Sequence, residues 1–227
     1  MLKSTSEHPA LQGVRESMFF IGVIGTVPWL LYMVGKIPGM TSYNRFYIWC
    51  NQQLKAKRTL QEAVQEQIPG GIADWTYEKA KAIRYLDYVI QETLRLRPSV
   101  PAGLPREVPR QGLTIDGEFI PGGAIVAVPT YTLQRDARRW SEPLSFKPER
   151  WESLSTEKAP WIAFSRGQYV CPGRHLAMMG LRMVLSRIAL QYDIAFPLGH
   201  NGERFEKDTK DTFTLTLPEL VLVFTPR

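Results

Sequence analysis

One cysteine stands in the run Phe164-Ser165-Arg166-Gly167-Gln168-Tyr169-Val170-Cys171-Pro172-Gly173-Arg174-His175-Leu176-Ala177. Gly167 and Gly173 permit backbone turns that a side chain would obstruct. Pro172 has no N–H to lose and suits an early helical position. After it, Ala177, Leu181, Val184, Leu185 and Ile188 recur at helical spacing, with His175, Arg182 and Ser186 on another face. Cys171 is therefore expected just ahead of a helix N-terminus, where the helix dipole and unpaired N–H groups favour a thiolate over a thiol. A lone thiolate with cations nearby suits axial ligation of haem iron. For an isolated cysteine the competing reading is a buried structural thiol.

Other segments must position that loop. Tyr85 to Leu96 reads as a helix, with Leu86, Val89, Ile90 and Leu94 on one stripe. On it Glu92 and Arg95 lie three residues apart, on the same face. A solvated surface pair of this kind is worth little. Pro98 ends the helix, because proline disfavours helical geometry in the residue before it. The loop Pro98-Ser99-Val100-Pro101-Ala102-Gly103-Leu104-Pro105-Arg106 follows, and farther on comes Phe146-Lys147-Pro148-Glu149-Arg150-Trp151.

Taken in order, these segments resemble the cytochrome P450 family. The cysteine run is similar to the family's haem loop, Phe-x-x-Gly-x-Arg-x-Cys-x-Gly, at every fixed position but one: Tyr169 stands where the family usually has Arg. The Glu92-Thr93-Leu94-Arg95 helix resembles the family's Glu-x-x-Arg helix, and Pro148-Glu149-Arg150-Trp151 its Pro-Glu-Arg-Phe segment, with Trp for Phe. The resemblance implies a mainly α fold with small β-sheets, the C-terminal haem-binding half of a P450 fold. It makes Cys171 the axial ligand and metal ligand of haem. Phe164, Gly167 and Gly173 would shape the cofactor-binding loop, and Arg106 and Tyr169 would meet the haem propionates. Tyr169 can donate one hydrogen bond but carries no charge. Glu92, Arg95 and Arg150 would form an ion network that holds the cysteine loop, a structural role. Val100, Ala102, Gly103 and Leu104, with the turn around Phe213, would line the substrate pocket. His175 is expected to face the propionates or solvent rather than to ligate iron.

Between the landmarks the chain reads as short strands. Leu113 to Ile120 alternates around Asp116-Gly117, a hairpin signal. Ala124 to Val128 is a β-branched run after Pro121-Gly122-Gly123. Phe213 to Leu217 and Leu220 to Phe224 read as two strands around Pro218, similar to the family's last hairpin.

Measured against the family, which runs to about twice this length by the resemblance, blocks are missing. At 227 residues the chain allows one or two domains. An N-terminal anchor helix is not found. Neither is the long central oxygen-activating helix over the distal face of haem. Gly70-Gly71-Ile72-Ala73-Asp74-Trp75-Thr76 does not replace it and reads as a loop, with Thr76 capping the next helix. Residues 1–58 read as a lid-like helical segment and 59–227 as the haem-binding region. The join, near Lys57 to Thr59, falls between one helix from Phe46 to Lys57 and another beginning at Thr59. Met18 to Gly35 is uncharged and largely apolar with Pro28 inside it, borderline in length for a membrane span. By the resemblance it rests at a bilayer surface.

The composition, 44% hydrophobic and 22% charged, suits a globular core. Two cysteines, Cys50 and Cys171, do not make a disulfide scaffold. The formal charge of +6 could suit nucleic acid, but no zinc spacing, RNA-binding aromatic motif or basic run supports that. Arg138, Arg139, Arg166 and Arg174 instead suggest a face for an acidic electron donor, beside the reading of a merely solvated surface. The family resemblance implies an NADPH- and O2-dependent monooxygenase. It would oxidise a small lipophilic compound, in secondary metabolism, with an NADPH–cytochrome reductase as partner, at the endoplasmic reticulum membrane surface or, lacking an anchor, in the cytoplasm. Two other readings stay open: a non-catalytic remnant with weak or no haem binding, and a membrane-surface or regulatory partner protein.

Overall fold

The structure is a computed structural model that describes residues 41–198, 200 and 202–227. The apolar stretch Met18–Gly35 and the lid-like segment up to residue 40 lie outside the described residues. The chain divides into two compact units, Met1–Lys57 and Arg58–Arg227, and the second holds the candidate site residues. Helix α1 (Thr41–Gln67) runs unbroken across Lys57–Thr59, where the sequence suggests a join between two helices. Asn51 to Gln67 contains no Gly or Pro and many strong helix formers, so nothing stops propagation until Pro69-Gly70. Thr76 caps α2 (Tyr77–Ala82), its hydroxyl accepting from Lys79 N at 3.3 Å.

Helix α3 (Arg84–Leu96) buries Tyr85, Leu86 and Ile90, as amphipathic spacing requires, and also Glu92 and Arg95. Tyr85 donates its hydroxyl proton to Glu149 Oε1 at 3.1 Å. Burial first, and then the Glu149 carboxylate, push this phenol well above its ordinary range. The unfolded chain therefore releases the proton first, so this contribution is complete below about pH 10 and is lost as pH rises further. Thermal melts across about pH 8 to 11 should show a shallower alkaline decline for Tyr85→Phe than for the unaltered protein. Equal slopes would contradict that origin.

The strands pair in small antiparallel sheets. After β1 (Arg106–Glu107), β2 (Leu113–Ile115) and β3 (Glu118–Ile120) form a hairpin. Asp116 and Gly117 sit at φ 51° and 87°, the left-handed pair of a type I′ turn. Of the Ala124–Val128 run only β4 (Ile125–Val126) is strand, pairing with β1. Pro105 and Pro109 flank β1 and cannot extend its ladder. A short helix α4 (Thr130–Leu133) follows, and then the long helix α5 (Arg174–Gln191).

Helix α5 uses the stripe suggested by its sequence only in part: Leu181 and Leu185 pack against the core, but the buried positions lie beside it. Met178, Ser186, Ala189 and Leu190 are buried, and Val184 is exposed. Two polar contacts set the rotation. Arg182 grips Asp87 of α3 through two bonds of 2.7 and 2.9 Å, and Ser186 Oγ accepts from Trp75 Nε1 at 2.9 Å. The helix is apolar around most of its circumference, so either rotation would bury hydrophobic surface. Pro172 is not in its first turn; the helix starts at Arg174, with Gly173 as N-cap.

At the C-terminal end come β5 (Tyr192–Ala195), α6 (Glu203–Asp208), β6 (Lys210–Thr212), β7 (Thr214–Thr216) and β8 (Val223–Pro226). The expected hairpin around Pro218 does not form. Strand β6 turns into β7 at Phe213, at φ 87°, while β8 pairs with β5. Pro218 has no N–H for a ladder, whereas Thr212 Oγ1 seals the tighter turn against Thr214 O at 3.1 Å.

Two apolar clusters result. One joins Val64 of α1 and Ile68 just after it, Leu86 and Ile90 of α3, and Met178, Ala189 and Leu190 of α5. The other packs Trp140, Trp151 and Trp161 edge to face. Leu94 and Phe164 touch both. Among the described residues, no helix is long and apolar enough to cross a membrane.

Candidate functional site

Helix α3 presents Glu92 and Arg95 to the interior, where both side chains are fully buried. The pair is a two-point fork: Arg95 Nε donates to Glu92 Oε2 and Nη2 to Oε1, both at 2.9 Å. Arg95 spends its other N–H groups on main-chain oxygens of Gln134, Pro143 and Ser145, at 2.8, 2.8 and 3.1 Å. Glu92 Oε1 also accepts from Arg150 Nε at 3.1 Å and Lys147 N at 2.9 Å, and Oε2 from Trp151 Nε1 at 3.0 Å. Arg150 continues outward to the carbonyl of Ser141 at 2.8 Å. The structure thus brings Glu92, Arg95 and Arg150 together, as a buried and fully bonded unit rather than a solvated pair. Burial of this kind is tolerable only because each charge has charge-assisted partners on every side.

Gln134 is the residue that sequence reasoning missed. It is fully buried. Its Nε2 donates to Leu94 O and Arg95 O at 3.0 and 3.1 Å, and its Oε1 accepts from Ile162 N at 2.8 Å. One side chain therefore ties the C-terminal turn of α3 to the segment that leads into the cysteine loop. Trp151 carries a second signal, because an indole in place of phenylalanine supplies the N–H that Glu92 accepts.

The cysteine loop hangs from this frame. Phe164 packs on Trp161, with ring centres 5.9 Å apart, and its carbonyl accepts from Cys171 N at 2.8 Å. Arg166 Nη2 bonds to Thr156 O and Ala159 O at 2.7 and 2.6 Å. That guanidinium is committed to the loop, and Arg138 is held by Asp136 at 2.7 Å. Arg138 nonetheless stays 87% exposed. Gly167 turns at φ 70°. Cys171 itself is exposed. A Cβ added at Gly173 would meet only Cys171 Sγ, at 3.8 Å, so the space beside the sulfur is open. His175 is also exposed, in the first turn of α5.

Arg106 and Tyr169 meet at the edge of this surface, the guanidinium carbon 4.5 Å from the ring centre. The loop between α3 and β1 is fixed from both sides: Tyr131 N donates to Pro101 O at 3.0 Å, and Leu215 N to Ser99 O at 3.1 Å. The second bond brings the Phe213 turn beside the segment holding Val100, Ala102, Gly103 and Leu104. Val100, Gly103 and Leu104 are half-buried, whereas Ala102 and Phe213 are exposed. Gly103 is irreplaceable here. Its φ is 78°, and an added Cβ would lie 2.0 Å from Val128 O. Gly167 is also left-handed, yet nothing lies within 4 Å of its added Cβ. Gly103→Ala should therefore lower the melting temperature by clearly more than Gly167→Ala, for which the backbone penalty alone is about 1–2 kcal/mol. Equal losses would contradict the contact.

These residues fit a haem. The fit is one of chemistry: an exposed thiol, exposed apolar side chains at Val170 and Leu176 within five residues of it along the chain, and the Arg106 guanidinium against Tyr169, two residues before the cysteine, a group that pairs with carboxylates. Among the described residues, no group of three or more His, Cys, Asp or Glu could hold a metal ion.

Comparison with known proteins adds a second line. The family model for cytochrome P450 matches residues 40–223. The chain is similar to the cytochrome P450 monooxygenase eupD of Phoma sp, at 36% identity over 285 positions, covering 92% of this chain and all of that protein. It is 43% identical to the cytochrome P450 monooxygenase orf5 of Eupenicillium brefeldianum over 80% of this chain, and 31% identical to tryprostatin B 6-hydroxylase of Aspergillus fumigatus over 68%. It spans 36% and 28% of those two relatives' own lengths.

Proposed function

The chain belongs to the cytochrome P450 family, and from that membership we propose that it binds haem through Cys171 and serves the oxidation of a small lipophilic compound. The observation that supports this best is the exposed Cys171 thiol, on a loop braced through Phe164 and Arg166, with Arg106 at the edge of the same surface. Bound there, haem would supply iron-centred oxygen activation, with electrons drawn from NADPH through a reductase. The protein's own part is positional. Cys171 would hold the iron from one side, its main chain fixed by the bond to Phe164. Arg106 would orient the macrocycle by a carboxylate. Val100, Gly103 and Leu104, with Phe213, would line the approach of a substrate. The Glu92–Arg95–Arg150 unit would keep the supporting segments in place without touching the chemistry. The Phoma, Eupenicillium and Aspergillus relatives are fungal P450 proteins, which supports a role in fungal secondary metabolism.

A second reading is a P450 remnant that holds haem without turning substrate over. It draws on the alignment with the Phoma protein, which spans 285 positions against 227 residues here, so that relative has internal residues with no counterpart in this chain. It also draws on the exposure of Leu176 and Val184 along α5. A site open to water exposes reactive intermediates to side reactions.

Haem titration of the purified chain tests the first reading. Cys171→Ala should lose stoichiometric haem, and Cys50→Ala should keep it. Identical behaviour of the two variants would refute the assignment. Oxidation of lipophilic substrates by the reconstituted protein with reductase and NADPH decides between the readings: product at one equivalent per NADPH supports the first, and NADPH consumption without product supports the second.

A further inference from the structure

We propose that Tyr169 is a positioning residue for Arg106: its ring face holds the guanidinium flat, so that the cation, rather than the phenol hydroxyl, grips a carboxylate of the bound porphyrin. This rests on the haem reading above. The guanidinium carbon lies 4.5 Å from the ring centre, within the range of cation–π attraction. Arg106 Nη1 also donates to Pro105 O at 2.9 Å, and the Arg106 backbone is fixed in β1 opposite Val126. Tyr169 ends the short turn Gly167–Tyr169, two residues before Cys171. The stack thus links the sulfur-bearing loop to the β1–β4 sheet.

The geometry assigns the roles. A guanidinium set flat on a ring keeps its in-plane N–H groups available; Arg106 Nη1 already donates to Pro105 O, which leaves the Nε–Nη2 edge for a two-point hold on a carboxylate. Tyr169 is 59% exposed, so its ring is not held there by core packing. A second cation at position 169 would repel Arg106, whereas the ring's negative face attracts it.

The test titrates the apo protein with haem, following Soret absorbance. Tyr169→Phe keeps the ring and should bind within about twofold of the unaltered protein. Tyr169→Ala should weaken binding about fivefold, and Arg106→Ala about tenfold or more. The double variant should be no weaker than Arg106→Ala alone, because Tyr169 acts through Arg106. Haem with both carboxylates esterified should bind the unaltered protein and Tyr169→Ala equally. Additive losses in the double variant, or a Tyr169→Phe as damaging as Tyr169→Ala, would overturn the proposal. A second readout needs no haem. In the apo protein, the Tyr169 ring current should shift the Arg106 δ-methylene protons upfield, a shift kept in Tyr169→Phe and lost in Tyr169→Ala. No shift in the unaltered protein overturns the stacking itself. A shift in a protein that takes up no haem overturns the haem reading, and with it the carboxylate grip.

Discussion

Arg95→Ala is expected to destabilise the protein by about 3–5 kcal/mol, the cost of leaving a buried charge without its partner. For a domain of this size that lowers the melting temperature by about 6–20 °C. The size of the effect follows from what is stranded. Glu92 loses both arms of its fork, the carbonyls of Gln134 and Pro143 lose the Arg95 donor, and Ser145 O keeps only a 3.5 Å bond from Arg150 Nη2. Arg150, Lys147 N and Trp151 still point at Glu92, so the carboxylate is not abandoned and the loss is not larger. Arg95→Lys should recover little, because an ammonium cannot reproduce the planar fork or reach three carbonyls on the far side. Haem uptake should fall in step with stability, since the segments joined here carry the cysteine loop. Thermal denaturation of the two variants checks this. A loss under about 1 kcal/mol for Arg95→Ala, the worth of an exposed pair, would contradict the burial.

Gln134→Leu should cost about 2–4 kcal/mol at nearly constant volume, because buried groups left without partners cost about 1–3 kcal/mol each and part of the loss relaxes. The orphans are Ile162 N, Leu94 O and Arg95 O. Gln134→Glu separates hydrogen bonding from shape. It keeps an acceptor for Ile162 N but turns the donor toward Leu94 O and Arg95 O into a second acceptor, so it should be at least as damaging near neutral pH. Urea unfolding of the three proteins measures the difference. A Gln134→Leu variant within about 0.5 kcal/mol of the unaltered protein would show that these groups find other partners.

Much of the fold could be read from local pattern. The stripe on α3 and its end before Pro98 follow from periodicity and proline geometry, and the Asp116-Gly117 hairpin from turn chemistry. Thr76 caps as its type suggests. What periodicity does not carry is non-local; the Glu92–Arg95–Arg150 network follows from the family resemblance and not from spacing. Whether Glu92 and Arg95 face water or core depends on loops 40 to 60 residues farther along, and no helical spacing contains that information. Gln134 has no motif at all; its importance comes from three main-chain groups that the fold delivers to it. The C-terminal pairing departs from local pattern for a similar reason. Strand β8 is taken by β5, far away in sequence, and Phe213 accepts a left-handed turn that its side chain does not favour. On α5 the apolar pattern is nearly all-round, so Arg182–Asp87 and Trp75–Ser186 decide which side turns inward.

Cys171 is proposed to hold haem as its thiolate ligand. The most direct measurement is the absorption spectrum of the haem-loaded, reduced protein under carbon monoxide. The expected result is the red-shifted Soret band of thiolate ligation, present in Cys50→Ala and in His175→Ala and absent in Cys171→Ala. A band at the position of a histidine-ligated haem, or one that survives Cys171→Ala, would contradict it.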